Sequence, residues 1–142
     1  MRSQNLESVF PKLHDAEYDV TSPQTPRYNC IAWAAGDTTR WWWPKPNCYW
    51  PVPKDNDFIE SFVYVFGSLG YEICEDGNLE DGFEKVAIYA KDGSAKHMSR
   101  QLFTGEWTSK CGRDHDITHK AENLEGVEYG KIVEFMKRPI NP

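Results

Sequence analysis

The chain has 142 residues, 39% of them hydrophobic and 27% charged, with a formal net charge of −6. This size is enough for one domain with a core of its own, spanning residues 1–142. The acidic balance and the scattered Lys and Arg argue against nucleic-acid binding, and no apolar run reaches the ~20 residues of a membrane helix.

In chain order, residues 6–13 read as a short helix interrupted by Pro11. Residues 14–29 read as an extended or looped entry, with Pro23 and Pro26 inside it. A short helix of small residues then starts at Cys30 and stops at Gly36. Residues 37–54 carry Trp41-Trp42-Trp43-Pro44 and Trp50-Pro51, with Pro46 and Pro53, a density of proline that excludes helix or central strand. An aromatic-rich loop is expected there. Asp55-Asn56-Asp57 offers an N-cap for a helix over 57–68, whose Phe58, Ile59, Phe62, Val65 and Phe66 fall on one face. Strands are expected at 71–74, 83–90, 97–102, 106–110 and 129–137, with Asp92-Gly93 and Thr104-Gly105 as turns. Helices first and an antiparallel meander afterwards make an α+β arrangement, with N-terminal helices packed on a C-terminal antiparallel sheet.

Residues 1–7 lack the apolar stretch of a signal peptide, so the expected compartment is the cytoplasm, or the exterior by a signal-less route. Reduced thiols are expected for Cys30, Cys48, Cys74 and Cys111. No C-x-x-C pair occurs. Cys111, His115 and His119 fall at every fourth residue and leave a zinc site open as an alternative, although Gly112 weakens the helix it needs.

The chemistry-bearing stretch is Tyr28-Asn29-Cys30-Ile31-Ala32-Trp33-Ala34. A thiol on the first turn of a helix faces unpaired backbone N–H groups and the positive end of the helix dipole, which favour thiolate. Asn29 suits an N-cap. His97, opening a strand, is the candidate base, and surface placement on that strand is its plain alternative. Trp41-Trp42-Trp43 suits either core packing or a stacking wall, with two rings expected in the core and one in a cleft.

Together with Trp41-Trp42-Trp43-Pro44, Val86-Ala87-Ile88-Tyr89, His97, Arg100-Gln101-Leu102, Trp107-Thr108-Ser109-Lys110 and Asp116-Ile117-Thr118-His119, this stretch resembles an uncharacterised microbial domain family over residues 28–138. More distantly, the order of Cys30 and His97 resembles papain-like hydrolases of the NlpC-type, CHAP and transglutaminase-like groups. That resemblance implies a single papain-like domain and acyl transfer through a thioester. Cys30 would be the nucleophile, His97 the base and Asp116 the orienting residue, with Asp114 and His119 as alternatives. In many NlpC-type amidases the histidine opens the strand equivalent to 85–89, where this chain has Lys85. The expected substrate is a peptide or a peptidoglycan-like amide, contacted by Tyr28, Asn29, Trp33, Trp42 and Trp107, with no cofactor. A catalytically inert papain-like module serving as a binding, adaptor or toxin-associated partner is the competing expectation.

Overall fold

The computed structural model describes residues 4–14, 16, 18–21, 25, 27–44, 48–51, 59–111 and 116–140. Among them the chain is a mixture of helix and antiparallel sheet, mostly sheet, with few helices. Helix α1 (Gln4–Val9) ends before Pro11, which takes the first position of a 3-10 turn, Pro11–Leu13. Proline is tolerated there because the N–H it lacks would have had no helical partner. Helix α2 is Cys30–Ala35 and α3 is Ile59–Ser68. The expected cap of α3 at Asp55-Asn56-Asp57, and Phe58 beside it, lie outside the described residues.

The strands are β1 (Asp19–Val20), β2 (Glu72–Cys74), β3 (Phe83–Lys91), β4 (Ser94–Gln101), β5 (Trp107–Lys110), β6 (Asp116–His119) and β7 (Lys131–Pro139). They form one sheet in the order β1-β6-β5-β4-β3-β7-β2. Every described pairing between them is antiparallel. β3 to β6 follow one another as a meander, after which β7 crosses back to pair with β3.

Strand alternation gives the sheet two apolar faces. Ile88 lies opposite Met98, and Val86 opposite Met136. These side chains share a core with Ile31, Ala32 and Ala34 of α2 and Phe62, Val65 and Phe66 of α3. Tyr89 lies opposite His97, and Tyr89, Ala87, Trp107 and Ile117 share the second core with Leu6, Phe10 and Leu13.

Several elements differ from expectation. Residues 19–20, read as part of an extended or looped entry, are β1, and residues 116–119, where no strand was expected, are β6, paired on both sides. Four residues are too short to show a period in sequence, and pairing supplies what local pattern does not. β4 begins at Ser94, so His97 lies inside the strand instead of opening it. The last strand begins at Lys131 rather than Tyr129, because Gly126 and Gly130 close a tight loop through two mutual backbone hydrogen bonds of 2.9 and 2.8 Å. Among the described residues no helix is long and apolar enough to cross a membrane.

Candidate functional site

Cys30 is the first residue of α2 because the residues around it fix both ends of that helix. Asn29 is the N-cap: its Oδ1 accepts the Ala32 N–H at 3.2 Å. The same amide also accepts the Trp42 N–H at 3.0 Å and donates to the Trp42 carbonyl at 2.9 Å. One buried side chain therefore caps the helix and pins the tryptophan loop across it. At the other end Gly36 takes φ 86, a left-handed conformation that costs glycine little.

The thiol is 7% exposed and lines a cavity of about 310 Å³ whose walls include Trp41, Trp43, Lys96 and Tyr129. Burial pushes its pKa up to about 11, against the opposing pull of the Met98, Ile31 and Cys30 backbone N–H groups and the Lys110 charge. The thiol is therefore held protonated at rest, although backbone donors already face it. Met98 directly follows His97 on β4, so their side chains take opposite faces of the strand: Met98 packs in the core that holds Cys30 and α2, and His97 turns toward Tyr89 and Tyr129, while β4 pairs with β5 only at Arg100 and Gln101.

His97 is fully buried. Its ring stacks on Tyr129, with centroids 4.0 Å apart and planes 5° from parallel, and meets Tyr89 edge-on. Its Nε2 lies 3.0 Å from Ser109 Oγ, and Ser109 Oγ lies 2.7 Å from His119 Nε2. His119 Nδ1 lies 2.6 Å from the Lys120 carbonyl oxygen. A carbonyl only accepts, so His119 Nδ1 carries the hydrogen. Burial lowers the His119 pKa to about 4, which keeps the ring neutral and leaves its Nε2 an acceptor. Ser109 then donates to His119 and accepts from His97 Nε2–H. The remaining nitrogen, His97 Nδ1, is a bare lone pair, buried and, among the described residues, without a hydrogen-bond partner. Burial, with His119 beside it, lowers the His97 pKa well below the usual imidazole value. No hydrogen bond joins this nitrogen to Cys30.

Asp116, expected to orient His97, does not do so: its Oδ2 accepts the Tyr28 hydroxyl at 2.6 Å. The reason is strand parity. Asp116 lies opposite Lys110, whereas Ser109 lies opposite Ile117, so the carboxylate and the residue holding His97 belong to opposite faces. Asp114 and His115 lie outside the described residues. His119 uses both ring nitrogens in the serine and carbonyl contacts, which leaves it none for the zinc alternative with Cys111. Among the described residues no group of three His, Cys, Asp or Glu is placed to hold a metal ion.

Of the expected contact residues, Asn29 lines the cavity. Trp42 is core: it is 6% exposed and its Nε1 donates to Asp37 at 2.8 Å. Trp41 and Trp43 line the cavity, and Trp43 also meets Phe62 of the first core edge-on, so Trp42 and Trp43 both reach the core while Trp41 and Trp43 both reach the cavity. Trp33 donates to Thr108 at 3.2 Å and lies under Arg100. Tyr28 stacks on Trp33, and Trp107 is buried in the second core against Phe135.

The residues missed in sequence are Ser109, Lys96 and Tyr129. Lys96 was visible through alternation, sitting one position before His97. Ser109 required the pairing of β5 with β6, and Tyr129 required the loop closed at Gly130.

No curated protein and no solved structure matches the chain. A family model described as a domain of unknown function, DUF7689, matches residues 19–137, and the chain belongs to that family.

Proposed function

We propose that this chain is a papain-like, cysteine-dependent amide hydrolase or acyltransferase working through a thioester, with Cys30 as nucleophile and His97 as base. The observation that carries this reading is the state of His97: the hydrogen-bond chain leaves Nδ1 as its bare nitrogen, and Tyr129, which stacks on that ring, also lines the Cys30 cavity. The resting pair is neutral thiol and neutral imidazole, because burial opposes charge on both. The thiol proton therefore moves to Nδ1 during attack rather than before it. The backbone N–H groups near the sulfur supply donors for an oxyanion. The aromatic walls of Trp41, Trp43 and Tyr129 suit the acyl side of a peptide or peptidoglycan-like amide.

A second reading, a catalytically inert binding module with a protein or peptide partner, is favoured by one observation. No hydrogen bond joins Cys30 to His97, and the thiol is buried.

One experiment separates them. The chain is exposed to p-nitrophenyl acetate and the adduct is mapped by mass spectrometry. The hydrolase reading expects an acyl group on Cys30, formed about 100-fold or more slowly in His97→Gln. An equal rate in that variant, or no adduct at Cys30, selects the binding module.

A further inference from the structure

We propose that the third position beside His97 is filled by a serine–histidine pair, Ser109 and His119. This pair holds His97 in its Nε2–H form and takes up its charge once Nδ1 is protonated. The proposal rests on the reading of His97 as the base. Three side chains on three successive strands make the chain: His97 on β4, Ser109 on β5 and His119 on β6. Ser109 lies opposite Ile117, and His119 is two residues further along the same face of β6, so the diagonal neighbour reaches the serine. His97 and Ser109 are fully buried and His119 is 2% exposed, so bulk water does not compete for these contacts. Among the described residues neither ring bonds a carboxylate: the partners are the serine hydroxyl and the Lys120 carbonyl.

The proton accounting closes without a carboxylate. When the thiol attacks a carbonyl carbon, the S–C bond forms, the carbonyl π pair moves to oxygen and the thiol proton goes to His97 Nδ1. The ring now holds two N–H groups and one positive charge. Its Nε2 proton passes to Ser109 Oγ as the serine's own proton passes to His119 Nε2. The serine is unchanged, and the charge rests on His119 with its Nδ1–H against the Lys120 carbonyl. The reverse shift restores the His97 imidazolium, and Nδ1 then protonates the leaving amine. A neutral pair does this without burying a permanent carboxylate among aromatic rings, which would carry a desolvation cost.

The test is ¹⁵N NMR of the imidazole nitrogens in the full, uniformly labelled chain at neutral pH, each histidine assigned from its His→Gln variant. The expected spectra show opposite tautomers, Nε2–H for His97 and Nδ1–H for His119. Ser109→Ala should abolish the His97 preference and Ser109→Thr should restore it. An Nδ1–H tautomer at His97, or a His97 tautomer indifferent to Ser109→Ala, overturns the holding role. The charge-carrying role is read from acylation of Cys30 by p-nitrophenyl acetate. His119→Gln should slow it at least tenfold, with Ser109→Thr close to the unaltered chain. An unchanged rate in His119→Gln overturns that role. Absence of any Cys30 adduct in the unaltered chain removes the base reading itself, while the tautomers still decide whether the pair holds the ring.

Discussion

At the scale of single residues, Asn29 carries more than its neighbour Cys30 announces. Its amide makes three hydrogen bonds, one to the α2 N-terminus and two to Trp42, and it is 3% exposed. Replacing it with alanine removes an N-cap, worth about 1 kcal/mol. It also leaves the Trp42 N–H and carbonyl buried and unpaired, at a further ~1–3 kcal/mol. Asn29→Ala should therefore lower unfolding stability by about 2–4 kcal/mol in a urea titration. A loss under 0.5 kcal/mol would show that the tryptophan loop is pinned by other contacts. The cap was legible because asparagine before a helix has a local meaning; the clamp on Trp42 was not, since it spans a loop. The same limit explains Asp116. A carboxylate in the expected chain order looked like the orienting group, but one position of strand parity turns it toward Tyr28 and gives His97 to a serine.

Among the elements, the longer strands were readable from alternation and turn residues: β3, β4 and β5 fall close to where pattern placed them. β6 was not, and β6 holds His119, the far end of the buried chain. That burial has a pH consequence with a definite sign. Both histidines have lowered pKa values in the folded chain, so below the ordinary imidazole pKa of about 6.5 the unfolded chain binds protons that the folded chain refuses. The stability contribution is full above that value and falls as pH drops toward about 4, where folded His119 begins to accept its proton. For His119 alone the loss over this window is about 3 kcal/mol. Urea midpoints measured from pH 7 to pH 5 should fall. The slope with pH, rather than the absolute stability, should become shallower in His119→Gln. A slope unaffected by that change would place His119 in contact with water.

Across the whole molecule, Tyr129 links the cavity to the buried histidine. It lines the cavity with Cys30, stacks on His97, and touches Phe10 and Tyr89 from the second core. Its position is set by the residue after it. Gly130 has φ 77, in the left-handed region, and a Cβ built there would overlap the Ala90 carbonyl. Alanine at this site meets both a backbone penalty of ~1–2 kcal/mol and a clash with backbone that cannot rotate away. The economical response is for the 126–130 loop to lift off β3, taking Tyr129 from His97. Gly130→Ala should therefore do two things in one sample. It should lower stability by more than the backbone penalty alone, and it should raise the rate at which iodoacetamide labels Cys30, because one wall of the cavity has withdrawn. A neighbouring glycine supplies the control: Gly93 also has positive φ, 83, but a Cβ there meets nothing within 4 Å. Gly93→Ala should cost only the backbone term and leave Cys30 labelling unchanged. Equal labelling in the two variants would mean that Tyr129 does not cover the site, and that access to the thiol is set by Trp41 and Trp43 instead.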